Sequence, residues 1–492
     1  MSQINVSDMS FYYDGSYEDI FSHVSFQIDT DWKLGFIGRN GRGKTTFLNL
    51  LMKKYEYIGS ITASVEFEYF PYLISDMERM GVDLLEEMDP GYEFWKVCRE
   101  LNLLEVDPEL LYRPFSTLSN GERTKVMLGV LFAKENTFLL IDEPTNHLDV
   151  QGRESVMRYL QKKKGFILIS HDRYFLDGCV NHILSINKSN IEVMQGNFSS
   201  WWEQKRRQDE HEYAENEKLK KEVGRLTDTA RQAGNWSGNV EQTKFDTRIA
   251  GLRPDRGAIG HKAAKMMKRA KNAEKRAYSA ASEKQKLLKN IETAESLKLF
   301  PLKHHKEVLI RAREVSIFYG DVTACRDQSF TVRQGMCAAL QGKNGCGKSS
   351  MLKLLRGEDI AYAGTVEAAS GLKISYVPQD TSFLKGSLND WLMKQEIDER
   401  LFKALLRKLD FEQSQFEKPL ESYSDGQKRK VLIAGSLCQQ AHLYVWDEPL
   451  NFIDVFSRMQ LEELIKRFRP TILLVEHDRR FLEEVGAEII VM

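Results

Sequence analysis

The strongest constraint on this sequence is that one set of four short motifs occurs twice. A glycine-rich loop at 38–45, GRNGRGKT, returns at 342–349 as GKNGCGKS. Three polar motifs follow each loop in the same order: SNGE, DEP and SHD in the first copy, and SDGQ, DEP and EHD in the second. Corresponding motifs lie 304 to 306 residues apart, so the sequence predicts a duplicated domain.

Each glycine-rich loop follows an apolar segment and precedes a helix-like run, which is the context of a phosphate-binding loop. The glycines let backbone N–H groups converge on phosphates at the positive end of the helix. We expect Lys44 and Lys348 to meet the β- and γ-phosphates, with Thr45 and Ser349 on Mg²⁺. The other loop residues expected to contact nucleotide are Gly38, Asn40, Gly41, Gly43, Thr46, Gly342, Asn344, Gly345, Gly347 and Ser350.

The repeated Asp-Glu pair follows an apolar run of strand length in both copies. An isolated pair of this kind is more often a solvated turn, but its place downstream of a phosphate loop favours a catalytic role. Asp142 and Asp447 are then expected to deliver a carboxylate to Mg²⁺. Glu143 and Glu448, the next residues, are expected to polarise the attacking water.

One histidine follows a further apolar run in each copy. A lone histidine is more often structural than functional. Because His171 and His477 recur in register, we expect both to sense the γ-phosphate.

Composition restricts the class of protein. With 492 residues, two or three domains are expected. No apolar run reaches the roughly 18 to 20 residues of a membrane span, and the N-terminus lacks the pattern of a signal peptide, so we predict a cytoplasmic protein without membrane contact. The six cysteines form no Cys-x-x-Cys pair, and neither a zinc site nor a disulfide framework is predicted.

The segment between the copies has a different character. It is rich in Lys, Glu, Ala and Arg, which favour helix, and the glycines and proline of 251–257 would interrupt a helix. We therefore predict domains at 1–200 and 301–492, joined at 201–300 by two long helices around a turn. A dense basic run could contact nucleic-acid phosphates, although composition alone favours a solvated hairpin; the run consists of Lys262, Lys265, Lys268, Arg269, Lys271, Lys275 and Arg276.

The SNGE and SDGQ motifs resemble the signature loop of ATP-binding cassette domains. The resemblance implies an α/β fold with two tandem cassettes, which bind ATP with Mg²⁺ and hydrolyse it to ADP and phosphate. In that family the signature loop of one cassette covers the nucleotide of the other, so a monomer with intramolecular cassette pairing is expected. By resemblance, Ser119 and Gly121 cover ATP on Lys348, and the second signature loop covers ATP on Lys44 through Ser424 and Gly426.

Further residues are assigned by the same resemblance. Tyr13 and Tyr319 match the aromatic residue that stacks on adenine, although the aromatic residues beside them leave a core role open. Gln379 matches the family's Mg²⁺-contacting glutamine. The corresponding stretch of the first copy, 69–72, has Tyr72 in its place, so the two ATP sites are expected to be unequal.

Tandem cassettes with a charged helical linker resemble the ABC-F family, whose PTNHLD motif occurs at 144–149. The linker contains NWS at 235–237 and GAIG at 257–260, before MMKR at 266–269, and by these segments it is most similar to that of the Lsa-type antibiotic-resistance branch. The resemblance implies a ribosome protection factor with ribosomal RNA and tRNA as partners, whose linker enters the tRNA exit site and counters lincosamide, streptogramin A and pleuromutilin drugs. Leu252, Arg253 and Pro254 are the predicted linker tip. The alternatives are a housekeeping translation factor and, less favoured, the motor subunit of a transporter.

Overall fold

A computed structural model describes residues 2–13, 19–146, 148–187, 190–242, 264–265, 268, 272, 275 and 301–492. The chain divides into two compact units. One is formed by Met1–Trp201 with Glu295–Met492, and the other by Trp202–Ala294. The first unit contains both copies of the repeat. The domain boundaries expected near 200 and 300 remain a prediction.

The first copy combines a mostly parallel sheet with a small antiparallel sheet. The parallel sheet has the order β5-β6-β7-β3-β8-β9, in which only β8 and β9 pair antiparallel, and the antiparallel sheet has the order β2-β1-β4. Short 3₁₀ turns cover Pro108–Tyr112 and Phe115–Thr117. The elements are β1 (Gln3–Phe11), β2 (Phe21–Asp29), β3 (Lys33–Ile37), α1 (Lys44–Leu51), β4 (Ile58–Thr62), β5 (Glu66–Phe70), α2 (Gly81–Met88), α3 (Phe94–Leu103), α4 (Asn120–Ala133), β6 (Thr137–Asp142), α5 (Val150–Gln161), β7 (Phe166–Ile169), α6 (Arg173–Cys179), β8 (His182–Asn187) and β9 (Asn190–Gln195).

A long helix, α7 (Phe198–Gln242), follows the first copy. Its described side chains beyond Trp202 are mostly exposed, and ion pairs one turn apart support it, such as Lys205–Asp209 at 3.1 Å. Lys265, Lys268 and Lys275 of the basic run are exposed and helical. The other residues of that run, the predicted break at 251–257 and the predicted tip residues Leu252, Arg253 and Pro254 lie outside the described residues. Within the described ranges, no helix is long and apolar enough to cross a membrane.

The second copy repeats the architecture. Its parallel sheet has the order β14-β15-β16-β12-β17 and its antiparallel sheet the order β11-β10-β13. Short 3₁₀ turns cover Gln413–Gln415 and Leu420–Ser422. The elements are β10 (Val308–Tyr319), β11 (Val322–Arg333), β12 (Cys337–Gln341), α8 (Lys348–Leu355), β13 (Tyr362–Ala368), β14 (Ile374–Val377), α9 (Leu388–Lys394), α10 (Glu399–Lys408), α11 (Asp425–Cys438), β15 (Leu443–Asp447), α12 (Val455–Phe468), β16 (Ile472–Val475), α13 (Arg479–Val485) and β17 (Glu488–Val491). The predicted duplicated α/β fold is confirmed.

The apolar core fixes the helix that begins at the phosphate loop. In the first copy, the ring of Phe47 on α1 lies 6.0 Å from Phe21 of the antiparallel sheet and 5.4 Å from Phe36 of the parallel sheet, measured between ring centroids. All three side chains are fully buried. Because β3 and α1 are both held by this cluster, the loop between them has little freedom.

The two copies contact each other within the first unit. The Arg39 guanidinium pairs with Asp410, and the Asn40 side-chain amide donates a hydrogen bond to the Phe452 carbonyl at 2.9 Å. The Trp201 and Phe456 rings meet edge to face at 6.2 Å. These contacts place the first glycine-rich loop against the second copy.

A buried ion pair also joins the copies. Arg173, at the start of α6, pairs with Glu462 on α12, and both side chains are almost completely buried. Burial raises the pKa of Glu462 to about 7, although the Arg173 charge opposes the shift. In the repeat, the residue of α5 that corresponds to Glu462 is Met157. The equivalent ion pair, between α13 of the second copy and α5 of the first, therefore cannot form.

We predict that Arg173→Met destabilises the protein by about 3 kcal/mol, because it leaves Glu462 buried without a partner. This loss is at the low end of the range for removing one partner of a buried ion pair. The reason is that Glu462 can bind a proton and so avoid an uncompensated buried charge. The double variant Arg173→Met/Glu462→Met should recover most of the loss. Urea unfolding of both variants and the unmodified protein measures this, and a double variant no more stable than the single one would contradict the prediction.

Candidate active site

Both phosphate loops turn into a helix through a glycine in the left-handed region. Gly43 has φ of 90° and Gly347 has φ of 89°. A Cβ on Gly43 would lie 2.6 Å from Ile20 Cγ2, and one on Gly347 would lie 2.8 Å from the Ala324 carbonyl oxygen. Only glycine fits these turns, which leave the first N–H groups of α1 and α8 available to an anion.

The loop lysines are buried inside these turns. Lys44 Nζ donates to the carbonyl oxygens of Gly38 at 2.7 Å and Arg39 at 3.2 Å. Lys348 Nζ donates to those of Gly342 and Lys343, both at 2.9 Å. Burial lowers the pKa of Lys44, although nearby carboxylates oppose the shift. The other predicted nucleotide contacts lie on the same two turns or at their helix starts: Gly41, Thr46, Asn344, Gly345 and Ser350.

Each loop hydroxyl contacts the predicted metal carboxylate. Thr45 Oγ1 donates to Asp142 Oδ2 at 3.1 Å, and Ser349 hydrogen-bonds to Asp447. Burial raises the pKa of Asp142, and it raises that of Asp447 to about 6. Asp447 Oδ1 is buried and has no hydrogen-bond partner among the described residues. Hydroxyl and carboxylate oxygens at this spacing suit Mg²⁺.

The predicted catalytic glutamates both have strained backbone. Glu143 has φ of 50° and Glu448 has φ of 48°, which is uncommon for a residue other than glycine. Their N–H groups donate to carbonyl oxygens of the neighbouring strand, those of Ile169 and Val475. Burial and the adjacent Asp142 charge raise the pKa of Glu143 to about 8, a value suited to a general base near neutral pH.

The two histidines have different surroundings. His171 Nε2 lies 3.1 Å from Glu143 Oε1, but the two are not aligned as a hydrogen bond, and neither Glu143 oxygen has such a partner in the described structure. Neither ring nitrogen of His477 has a hydrogen-bond partner among the described residues. Burial and nearby cations lower the pKa of both rings, that of His477 to about 3. Each ring is therefore neutral and can offer one N–H to an anion.

The segments that end β5 and β14 make different hydrogen bonds in the two copies. Gln379 Nε2 donates to Glu448 Oε2 at 2.8 Å, and the Asn451 amide donates to the same oxygen at 2.6 Å. Gln379 thus contacts the glutamate beside Asp447, and its predicted contact with Mg²⁺ remains a proposal. In the first copy, the Tyr72 hydroxyl donates to the Glu87 carbonyl oxygen at 2.8 Å, and Tyr69 is the residue that reaches Asp142.

The predicted signature loops both begin a helix. Ser119 caps α4 and Ser424 caps α11, each through a reciprocal capping box. A Cβ on Gly426 would lie 3.1 Å from the Asn40 amide nitrogen, so the second signature loop faces the first phosphate loop. Gly121 lies in the first turn of α4, and no hydrogen bond in the described structure joins Ser119 to Lys348.

The predicted adenine-stacking aromatics lie outside the core. Tyr13 is 41% exposed and Tyr319 is 48% exposed. The Tyr13 hydroxyl forms a hydrogen bond of 2.8 Å with Thr46 Oγ1, which places the ring beside the first phosphate loop. An exposed ring next to the loop is available for stacking.

The sequence interpretation missed two ion-paired arginines, of which Arg458 is buried and Arg153 is partly buried. Arg458 pairs with Asp478 at 2.7 Å and donates to the carbonyl oxygens of Leu450 and Ile453, each at 2.9 Å. Arg153 pairs with Asp172 at 2.9 Å in the first copy. Their recurrence 305 residues apart, four residues after Asp149 and Asp454, was the available signal.

The residues present fit a nucleotide with a divalent cation. At each site a helix N-terminus, one loop lysine and at least one buried carboxylate oxygen without a hydrogen-bond partner in the described structure converge. Bound Mg²⁺ would neutralise phosphate charge there, and Thr45, Ser349, Asp142 and Asp447 would hold it. The chain's own groups would then bind the phosphates and orient water.

Fold and site together define a nucleotide-binding ATPase with two facing cassettes. The family described as ABC transporter matches residues 21–146 and 325–451, more than half of the chain. The chain belongs to this family of ATP-binding cassette proteins, and it is an ABC-F ATPase that hydrolyses ATP.

Two curated relatives and a solved structure match most of the chain. Ribosome protection protein VmlR of Bacillus subtilis (strain 168) is 29% identical over 494 residues, covering 95% of this chain and 83% of that protein. Energy-dependent translational throttle protein EttA of Haemophilus influenzae is 25% identical, covering 96% of this chain and 88% of that protein. The solved structure of archaeal ribosome recycling factor aABCE1 with ribosomal stalk protein aP1 has a TM-score of 0.63 at 17% identity, covering 98% of this chain and 87% of that one, and supports the fold.

We predict that Lys44→Ala and Lys348→Ala each remove one nucleotide site. Losing a buried ammonium that is predicted to hydrogen-bond to phosphate should weaken binding at that site roughly tenfold or more. At an ATP concentration that saturates only the intact site, each variant should therefore bind about one ATP instead of two. Equilibrium dialysis with labelled ATP measures the stoichiometry. Lys353→Ala, an exposed lysine on α8, is the control. Unchanged stoichiometry in either loop variant would refute the assignment.

Proposed function

We propose that this ATPase is a ribosome protection factor of the Lsa type. In this proposal, ATP binding brings the cassettes together on the ribosome and places the linker near the tRNA exit site. The linker then alters the binding site of lincosamide, streptogramin A or pleuromutilin antibiotics. Hydrolysis releases the protein.

The observation that carries the proposal is the combination of facing ATP sites with a long charged helix on one chain. At about 1.5 Å per residue, the 45 residues of α7 extend roughly 65 to 70 Å. Its described surface is polar, with exposed basic and acidic side chains, and Lys265, Lys268 and Lys275 further along the linker are exposed cations. Exposed cations on an extended helix suit contact with RNA phosphates.

The names of the relatives support a role on the ribosome, which could be either protection from antibiotics or a housekeeping function in translation. VmlR is named a ribosome protection protein, and EttA an energy-dependent translational throttle protein. We favour protection because the linker around Asn235-Trp236-Ser237 resembles the Lsa-type branch, with Leu252, Arg253 and Pro254 as the proposed tip. A housekeeping translation factor is the second candidate.

The double variant Glu143→Gln/Glu448→Gln tests the ribosomal role. Without the two carboxylates that polarise water, ATP should bind but persist, so the variant should co-sediment with ribosomes in ATP more than the unmodified protein does. Lys44→Ala/Lys348→Ala, which should bind nucleotide much more weakly at both sites, is the matched control. Absence of the first variant from the ribosome pellet in ATP would refute both ribosomal candidates.

Growth assays separate the two candidates. We predict that expression in a susceptible host raises the minimal inhibitory concentration of at least one of the three drug classes, and that the Lys44→Ala/Lys348→Ala variant does not. Comparable expression of both forms is checked by immunoblot. Unchanged susceptibility to all three drug classes, with ribosome binding intact, would favour the translation factor.

A further inference from the structure

The first ATP site lacks the loop contact that the second site has. In the second cassette, Arg429 donates to the carbonyl oxygens of Pro378 and Gln379 and fixes the loop, so that Gln379 reaches Glu448. In the first cassette, the residue at the position of Arg429 is Thr124. Tyr72, at the position of Gln379, directs its hydroxyl to the Glu87 carbonyl oxygen.

A different tyrosine contacts the first site. The Tyr69 hydroxyl, on the penultimate residue of β5, donates to Asp142 Oδ2 at 3.0 Å. The same oxygen accepts a hydrogen bond from Thr45 Oγ1 at 3.1 Å. Two donors on one oxygen fix the orientation of the Asp142 carboxylate.

The duplicated cassette shows that the fold does not require this contact. Tyr376 occupies the position of Tyr69, because Tyr69 pairs with Leu140 in β6 and Tyr376 with Val445 in β15. The Arg356 guanidinium lies 3.8 Å from the Tyr376 ring centroid. In the described parts of the chain, Tyr376 hydrogen-bonds to Arg356 and Asp447 to Ser349, and no hydrogen bond joins Tyr376 to Asp447. The tyrosine–aspartate contact is therefore specific to the first site.

We infer that Tyr69 is a positioning residue of the first ATP site, which holds the Asp142 carboxylate in the orientation required for Mg²⁺. At the second site the loop glutamine orients Glu448, and at the first site Tyr69 orients the neighbouring carboxylate instead. This role concerns metal affinity at one of the two sites. It rests on the assignment of Asp142 to Mg²⁺ and is independent of the proposed ribosomal role.

The test compares Tyr69→Phe with Tyr376→Phe, each studied in a chain with a single working site. Tyr69→Phe is combined with Lys348→Ala, and Tyr376→Phe with Lys44→Ala. Binding of a fluorescent ATP analogue is followed while Mg²⁺ is titrated, and again in excess EDTA. Because outer-shell partners of metal ligands contribute about tenfold or more to metal affinity, Tyr69→Phe should raise the half-saturating Mg²⁺ concentration roughly tenfold.

Metal-free binding of the analogue should not change in Tyr69→Phe, which separates a metal effect from misfolding or loss of the nucleotide pocket. Tyr376→Phe should leave the Mg²⁺ dependence of the second site unchanged. An unchanged Mg²⁺ dependence in Tyr69→Phe would overturn the inference. The inference would also be overturned if Tyr69→Phe and Tyr376→Phe shifted the half-saturating Mg²⁺ concentration equally. The same holds if Tyr69→Phe weakened binding of the analogue in EDTA as much as it weakened binding with Mg²⁺.

Discussion

Buried Arg458 connects the two ATP sites. Arg458 binds the carbonyl oxygens of the 450–454 loop and the carboxylate of Asp478, the residue after His477. The 450–454 loop faces the first site through the Phe452 carbonyl, whereas His477 belongs to the second. One guanidinium therefore fixes a loop of one site relative to a predicted γ-phosphate sensor of the other. Removing it would leave two carbonyls and a carboxylate buried without this partner, which makes the geometry costly to change.

The two composite sites are held together to different degrees. At the first site, Arg39 pairs with Asp410 and Arg42 lies 4.0 Å from Glu412. The corresponding loop residues at the second site are a lysine and a cysteine, Lys343 and Cys346. Glu105, which matches Asp410 in the repeat, pairs with Arg158 of its own cassette at 3.0 Å. The first phosphate loop is thus linked by ion pairs to the opposite cassette, in keeping with the expectation of unequal sites.

Local sequence signals were sufficient for the duplicated α/β fold and for the position of the two phosphate loops within it. Glycines at 43 and 347, the strands that end at Asp142 and Asp447, and the serines that cap α4 and α11 all follow from spacing and turn chemistry. The interpretation of 69–72 took Tyr72 as the counterpart of Gln379 and did not anticipate that Tyr69 is the tyrosine that hydrogen-bonds to Asp142. A strand ends at Phe70, and beyond that point the direction of each side chain depends on packing by distant segments, which spacing does not encode.

Contacts between the cassettes were also beyond the reach of one sequence. The ion pairs Arg173–Glu462 and Arg39–Asp410 join residues that are far apart in the chain. The sequence around each of these residues does not distinguish it from an ordinary exposed charge. Only the folded arrangement shows which charges become buried. The recurrence of Arg153 and Arg458 was visible, but its meaning depends on which carbonyls each guanidinium meets.

The distance along the chain between Arg173 and Glu462 has a consequence for synthesis. They are 289 residues apart, so at about 5 to 20 residues per second roughly 15 to 60 s separate their translation. During that interval the nascent first cassette presents a cation on a face that is later buried. Two first cassettes from neighbouring chains that met through this face would bury Arg173 opposite Met157, without a counter-ion. The charge thus disfavours premature pairing between nascent chains until the correct partner has been made.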